Sequence, residues 1–269
     1  MLTITTLASG SSGNSLLVSG GDTHILIDAG ISCRRITTAL NQLDVDPNTL
    51  AAVLVTHAHT DHVCGLATMV KKLSAPIYAS TGTAHQLTTR MGLPSDRISS
   101  FAAGDAFDIG PLHCTSFPTP HDSADSVGYT VELDGCRLAL ATDLGHVTDT
   151  VRRAVLGCQT VVLESNHDID WLRSGPYPYP LKQRILGDRG HLCNEAGADL
   201  ALQAAQAGAN TIILAHLSNE NNTPARAYDV TFRHLCANGI DPERDIRLSV
   251  APRSQPGPTY PVVKEVPVC

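Results

Sequence analysis

The 269-residue sequence has no apolar run long enough to cross a membrane. Its longest such run, residues 50–55, has six residues, whereas a spanning helix needs about 20. The N-terminal stretch also lacks the basic start and continuous apolar centre of a secretory signal, because the first Lys or Arg is Arg34. We therefore expect no membrane segment and a cytoplasmic location.

Closely spaced cysteines and an excess of positive charge are both absent. The eight Cys lie at least 22 residues apart, which excludes a CxxC motif and a dense disulfide framework. We therefore expect reduced thiols. The 19 Lys and Arg face 26 Asp and Glu, which gives a formal net charge of −7. Overall charge therefore cannot hold the protein on nucleic acid, although a local basic site can.

Short β-rich runs alternate with helical stretches, which predicts a layered α/β protein with mixed sheets. Residues 252–269 contain five Pro and no clear period, so we predict one domain over residues 1–251 followed by a Pro-rich C-terminal tail. The predicted strands are 2–7, 15–19, 24–28, 51–56, 77–79, 112–117, 127–133, 137–141, 160–164, 211–215 and 246–250. The predicted helices are 32–43, 61–73, 82–91, 148–156, 195–206 and 223–236.

Four side chains that can bind metal lie within six residues, directly after the apolar strand 51–56. These are His57, His59, Asp61 and His62, in a chain with 12 His. Histidine is the commonest metal ligand, and four such groups are too many for one ion. His57 and His59 are two residues apart and point the same way, whereas Asp61 and His62 turn toward a second site. The hexad therefore predicts ligands for two ions.

Further side chains of the ligand type follow other predicted strands. His121 comes after the strand 112–117, Asp143 after 137–141, and His216 after 211–215. Taken alone, each is typical of an ordinary loop. Together they share one feature with the hexad, because each stands just after an apolar strand. We therefore expect them to complete its site.

These motifs resemble those of the metallo-β-lactamase superfamily. The hexad HAHTDH is similar to its HxHxDH signature, Asp28 matches its first motif, and the three further residues match its third, fourth and fifth motifs. Later segments resemble the YycJ/WalJ-like nuclease group of that superfamily. They are SGSSGN (9–14), LESNHD (163–168), GPYP (175–178), GHLCN (190–194) and HLSNENN (216–222). The resemblance implies a four-layer αββα sandwich.

The resemblance also implies which residues hold two divalent metal ions. The implied ligands are His57, His59 and His121 for one ion and Asp61, His62 and His216 for the other, with Asp143 bridging both. Asp28 would orient one of the histidines by accepting its second ring N–H. No Cys is among these ligands, so the set is compatible with zinc or manganese, and also with iron.

The implied activity is that of a metal-dependent phosphodiesterase, an exonuclease-like DNA nuclease. Two ions about 3.5–4 Å apart would activate a water as hydroxide and stabilise the attacking and leaving oxygens. Glu164 and His191 resemble the Glu–His pair that protonates the leaving alkoxide in nuclease branches of the superfamily. We count Asp61 with them as catalytic.

Three segments are candidates for substrate binding. Ser11 and Asn14 lie in a Gly-rich turn that can bind an anion, and Ser218 and Asn222 follow a predicted ligand. Residues 171–190 hold four basic residues, one acid and three aromatics, a combination that suits a nucleic-acid strand. From that segment we expect contacts from Tyr177 and Lys182, and we predict that its PYPYP run is extended.

Other functions stay open at this point. On the same scaffold they are a ribonuclease, a small cyclic phosphodiesterase, a thioesterase or a lactamase. A thioesterase would not need the basic aromatic segment 171–190, and a periplasmic lactamase would need an export signal. A non-catalytic metal-binding scaffold would tolerate loss of Glu164 and His191, but the complete ligand set argues against it.

Overall fold

The structure, a computed structural model, describes residues 1–264 and divides into two compact units. Unit 1 contains Met1–Pro118, Ser123–Asp134 and Pro252–Pro261. Unit 2 contains Thr119–Asp122, Gly135–Ala251 and, at the end of the described chain, residues 262–264. Residues 1–251, which we predicted as one domain, are therefore shared between two units.

Unit 1 contains a seven-stranded mixed sheet in the order β14-β1-β2-β3-β4-β5-β6. Strands β3 to β6 run parallel, whereas β1 pairs antiparallel with both of its neighbours. Strand β4 is apolar throughout and β3 is apolar from Ile25 on, as expected for parallel strands whose sheet is covered by helices. The strands are β1 (Leu2–Ala8), β2 (Ser15–Gly20), β3 (Thr23–Ile27), β4 (Leu50–Val55), β5 (Ile77–Ser80), β6 (Ile98–Phe101) and β14 (Thr259–Pro261).

Four helices and an antiparallel meander complete unit 1. The helices are α1 (Cys33–Gln42), α2 (Thr60–Val63), α3 (Leu66–Lys72) and α4 (Thr81–Thr89), with 3₁₀ turns at Pro47–Thr49 and Ser95–Arg97. Ile36 and Leu40, one helical turn apart on α1, join a core that also contains Leu66 and Leu87. The meander consists of β7 (Ala106–Ile109), β8 (Leu112–Pro118) and β9 (Val127–Leu133).

Unit 2 is built on four adjacent parallel strands in the order β13-β12-β11-β10. Strands β11 and β12 are buried along their whole length. The strands are β10 (Cys136–Ala141), β11 (Thr160–Glu164), β12 (Thr211–Ala215) and β13 (Arg247–Val250). The helices are α5 (Asp149–Val155), α6 (Ile169–Ser174), α7 (Tyr179–Leu186), α8 (Asn194–Gln206) and α9 (Pro224–Ala237). The carboxyl ends of β10, β11 and β12 lie side by side, which brings the residues that follow them together.

The predicted helix 61–73 is two helices, α2 and α3. The helix is interrupted at Gly65, whose N–H donates to the carbonyl of Ala29 at 2.8 Å. A Cβ at Gly65 would lie 2.3 Å from the carbonyl oxygen of Ile31. The Gly65 N–H and the Asp61 carbonyl, which would pair in a continuous helix, are bonded to Ala29 and Asn14 instead. The prediction that the PYPYP run (176–180) is extended is wrong beyond Pro178. Helix α7 begins at Tyr179, with Pro180 in its first turn.

The C-terminal segment also differs from the predicted tail. Strand β14 pairs antiparallel with β1, and Thr259 Oγ1 lies 2.8 Å from Thr5 Oγ1. This is an edge strand of the sheet, where proline is tolerated because one side of the strand needs no ladder hydrogen bonds. Residues 252–261 are therefore part of unit 1. The last five residues of the predicted tail, 265–269, lie outside the described residues.

None of the helices within residues 1–264 has both the length and the apolar content needed to cross a bilayer.

Candidate metal centre

The HAHTDH hexad follows β4 in unit 1 and leads into α2. His57 is fully buried, and its Nε2 lies 3.0 Å from Nδ1 of His59. Its ring centroid lies 4.1 Å from that of His62. One short stretch of chain thus holds three imidazoles in contact, because the strand ends two residues before the first of them and a helix begins after the second.

Asp28, at the end of β3, fixes the orientation of His62. One carboxylate oxygen accepts the Thr56 backbone N–H at 2.8 Å, and the other accepts the Thr56 hydroxyl at 2.9 Å. The second oxygen also lies 2.7 Å from Nδ1 of His62. The ring therefore donates Nδ1–H to Asp28, which leaves Nε2 as the nitrogen able to bind a metal. Thr56 is a residue that the sequence analysis missed.

Asn14 lies in a different environment from the one predicted. It is buried, with its side-chain amide 3.1 Å from Nε2 of His62 and 3.3 Å from the carbonyl of Asp61. Its Oδ1 accepts the Gly10 N–H at 2.9 Å. The amide thus supports the hexad, and its contact with substrate stays a prediction. Ser11, by contrast, is exposed in the turn.

Packing accounts for the glycines around Asn14. A Cβ on Gly30 would lie 1.6 Å from the carbonyl oxygen of Asp61, and a Cβ on Gly13 would lie 2.5 Å from the carbonyl oxygen of Gly30. Gly30 donates to the Asn14 carbonyl, and Asn14 donates to the Asp61 carbonyl, both at 2.8 Å. The turn that we interpreted as an anion site thus lies directly against the hexad backbone.

In unit 2, four potential ligands cluster at the carboxyl ends of the parallel strands. Asp143, Glu164, His191 and His216 each place one ligand atom within 4.8 Å of the others. Asp143 Oδ1 lies 3.5 Å from Nε2 of His216 and 3.7 Å from Nε2 of His121. Strands end at Glu164 and shortly before His121, Asp143 and His216, as expected from the sequence.

Glu164 is the centre of this cluster. It is fully buried, and its Oε1 accepts N–H groups from Nδ1 of His191 at 2.8 Å and from Nδ1 of His216 at 2.9 Å. Its Oε2 accepts the backbone N–H groups of Leu144 and Leu192 at 2.8 and 3.1 Å. The sequence analysis expected the contact with His191 but missed the contact with His216.

The charge state of Glu164 follows from these four donors. Burial by itself would raise the pKa of the carboxyl, but attraction to His191 and hydrogen bonds from both histidines hold the pKa to about 2. Glu164 is therefore a carboxylate near neutral pH and can orient both rings. Burial has the opposite consequence for His121, because it lowers the pKa of that imidazole. His121 Nδ1 lies 3.2 Å from the Gly190 carbonyl.

Asn222 and Ser218 support the strand ends from within. The Asn222 amide donates to the carbonyls of Ser165 and Asn166 at 2.9 and 3.1 Å. Asn166 donates in turn to the carbonyl of His216 at 2.8 Å. The Ser218 hydroxyl is buried and accepts a backbone N–H at 3.2 Å. The Asn222 amide thus supports the backbone around the cluster, and its contact with substrate stays a prediction.

Two aromatic rings of the segment 171–190 are exposed to solvent, and neither is Tyr177, the ring that we expected to contact substrate. Tyr177 is half-buried, and Lys182 donates to the Arg173 carbonyl at 2.7 Å. The rings that reach solvent are Trp171, 39% exposed, and Tyr179, 72% exposed.

A cation lies against one of these rings. The guanidinium of Arg226 is 4.7 Å from the centre of the Trp171 ring, a cation–π contact. The same guanidinium bonds to Asp168 at 2.6 Å. Arg226 lies on α9, far from Trp171 in sequence, so the sequence analysis did not associate it with the aromatic segment.

Comparison with known proteins identifies the family. Residues 23–217 match the family model described as the beta-lactamase superfamily domain. The chain is 38% identical over 217 residues to exodeoxyribonuclease YycJ of Bacillus anthracis, covering 80% of this chain and 82% of that one. It is 36% identical over 225 residues to exodeoxyribonuclease WalJ of Streptococcus pneumoniae, with coverage of 82% and 84%.

A solved structure supports the same assignment at the level of the fold. Zn²⁺-bound PqqB from Methylobacterium extorquens superposes with a TM-score of 0.70 at 18% identity, covering 96% of this chain and 99% of that one. The predicted αββα fold class is thereby confirmed. The chain belongs to the beta-lactamase superfamily and, within it, to the YycJ/WalJ-like group.

Proposed function

We propose that this protein is a metal-dependent exodeoxyribonuclease. The observation that carries the proposal is the cluster of Asp143, Glu164, His191 and His216, in which one carboxylate oxygen or ring nitrogen from each residue lies within 4.8 Å of the others. It occurs in a chain that shares 38% and 36% identity with two proteins named exodeoxyribonucleases. Their names support a nucleic-acid substrate, and DNA in particular.

The donor groups in each unit fit divalent metal ions. They are buried or half-buried imidazoles and carboxylates, a chemistry suited to zinc, manganese or iron. In our proposal two ions are held by the residues that the motifs indicate. These are His57, His59, Asp61, His62, His121, Asp143 and His216. When bound, the ions supply Lewis acidity and lower the pKa of water.

Glu164 and His191 then provide the proton for the leaving group. Glu164 holds Nδ1 of His191 at 2.8 Å, so Nε2 is the ring atom that can face a substrate. The side chain of His191 is 17% exposed, whereas that of Glu164 is fully buried. In this proposal His191 protonates the leaving alkoxide, and Glu164 stabilises the protonated ring without touching the substrate.

The proposal is tested by metal analysis followed by an assay on end-labelled strands. Matched single- and double-stranded DNA and RNA are offered to protein loaded with zinc or manganese. We expect DNA to shorten stepwise from an end, and Asp143→Ala to remove both metal and activity. Cleavage of RNA alone would instead make the protein a ribonuclease. Hydrolysis of a thioester without cleavage of any strand would refute the nuclease proposal.

A further inference from the structure

Unit 2 contains a cavity next to the candidate proton donor, which we call the α8 cavity. It has a volume of about 370 Å³, and its lining includes His191, His167 and one face of helix α8. Much of its wall is apolar, formed by Val147, Ile169, Leu186, Leu192, Ala196 and Leu200. A cavity of this size and character is typical of small-molecule binding.

The charged groups in the wall of the α8 cavity already have partners. Arg152 donates to Gln203 at 2.9 Å and to Asp149 at 2.6 Å. Asp199 is paired with His234 at 2.8 Å. Among the described residues that line the cavity, the one guanidinium is thus committed to neighbours. The lining therefore favours a neutral, flat and mostly apolar group over a phosphate.

His167 is the exception in this wall. It is 1% exposed, and neither of its ring nitrogens has a hydrogen-bond partner. Burial lowers the pKa of the imidazole to about 4, so near neutral pH the ring offers one donor and one acceptor. Buried polar groups without partners are uncommon in folded proteins. A group that enters the cavity with its own donor and acceptor would satisfy this ring.

His191 connects the cavity to the chemistry. It lines the cavity, and its Nδ1 bonds to Glu164 at 2.8 Å. In the proposed function His191 serves the leaving oxygen, so the nucleotide that carries this oxygen lies beside the cavity. A nucleobase is flat, largely apolar on its faces, and carries donors and acceptors on its edge.

We propose that the α8 cavity binds the nucleobase of the leaving nucleotide, with His167 hydrogen-bonded to the base edge. This inference rests on the proposed nuclease function and names a subsite of it. It makes cleavage depend on the presence of a base at one position.

Abasic substrates test the inference. A tetrahydrofuran residue replaces the nucleotide on the leaving side of the scissile phosphate in one oligonucleotide and on the opposite side in another; product analysis identifies the two sides. With the metal-loaded protein we expect the first replacement to raise KM about 10- to 100-fold, the effect of losing one buried apolar ring. The second should change KM little. Equal KM values for both and for the intact strand would overturn the proposal.

Two variants place the effect in the cavity. Ala196→Trp adds a ring where Ala196 lines the wall, and we expect it to raise KM for the intact strand to the abasic value. Its control is Gln206→Trp, at the exposed end of the same helix, which should keep the discrimination. His167→Phe keeps the ring and removes both nitrogens; we expect it to raise KM for the intact strand roughly fivefold and to leave the abasic strand unaffected. Discrimination that survives Ala196→Trp would refute the cavity as the base site.

Direct binding separates this inference from the nuclease proposal. Calorimetry compares a deoxynucleoside 5′-monophosphate with deoxyribose 5-phosphate on the metal-loaded protein. We expect the base to strengthen binding at least tenfold in the wild type and not in Ala196→Trp. If no strand is cleaved under any condition, the nuclease proposal fails while this comparison still decides the cavity. Equal binding of the two ligands overturns the cavity proposal even when cleavage is observed.

Discussion

Replacing Glu164 by glutamine tests the hydrogen-bond centre of unit 2. The two carboxylate oxygens of Glu164 accept four N–H groups, two from imidazoles and two from the backbone. Glutamine has nearly the same shape, but one of its oxygens is replaced by an NH₂ group, which can only donate. In either orientation of the amide, two of the four buried donors then face another donor.

The expected cost follows from those two lost contacts. A buried donor left without an acceptor costs about 1–3 kcal/mol, so Glu164→Gln should lower the free energy of unfolding by about 2–6 kcal/mol. This is a large part of the roughly 5–15 kcal/mol of a typical domain. The assay is urea denaturation of metal-free protein followed by circular dichroism, because removing the metal isolates the hydrogen bonds.

The matched control is Glu243→Gln, the same substitution at an exposed position of unit 2. It should change the free energy of unfolding by no more than about 0.5 kcal/mol. If Glu164→Gln is as mild as this control, the four-donor arrangement is refuted. The same variant should also lower turnover, because His191 and His216 would lose the carboxylate that orients them.

Further predictions concern the candidate centre and its surface. His191→Ala should keep both metals, as measured by elemental analysis, and lower turnover by roughly 10²–10⁴; a wild-type rate in the metal-loaded variant would contradict its role as acid. Asn14→Ala should weaken metal binding about 10- to 100-fold in a chelator competition, because the amide donates to the Asp61 carbonyl and so supports the hexad backbone. Gly30→Ala should reduce soluble expression and Tm sharply, since its Cβ would lie 1.6 Å from the Asp61 carbonyl oxygen. Tyr179→Ala should weaken single-stranded DNA binding by about 1–3 kcal/mol if a base stacks on this exposed ring; unchanged affinity in a titration would place the strand elsewhere.

Three of the candidate site residues have left-handed backbone conformations. Asp28, Asp143 and His216 have φ values of 63°, 61° and 57°. Each follows a strand closely, and the left-handed turn redirects the chain there. Residues other than glycine adopt this region at a cost, and such strain is concentrated at functional sites. We interpret it as the means by which the side chains at the strand ends are brought into the clusters.

Much of the framework could be predicted from the amino-acid pattern. Continuous apolar runs predicted β4, β11 and β12, because strands buried on both faces need no polar alternation. The density of ligand-type side chains in HAHTDH indicated a metal centre, and the placement of Asp143 and His216 after strands indicated where its other ligands come from. These features are local, so a single segment contains the information.

The tertiary structure alone decided how distant polar groups are partnered. The amide of Asn14 reaches His62 across 48 residues of chain, and Glu164 reaches His216 across 52. The buried amide of Asn222 donates to the carbonyls of Ser165 and Asn166. Its polar side chain and its position after a predicted ligand had suggested a substrate contact. The local sequence shows only that such a side chain can donate or accept a hydrogen bond. Which partner the side chain bonds to depends on how the strands and loops pack. Burying a polar group without a partner costs free energy, so the stable packing is one in which these groups are hydrogen-bonded.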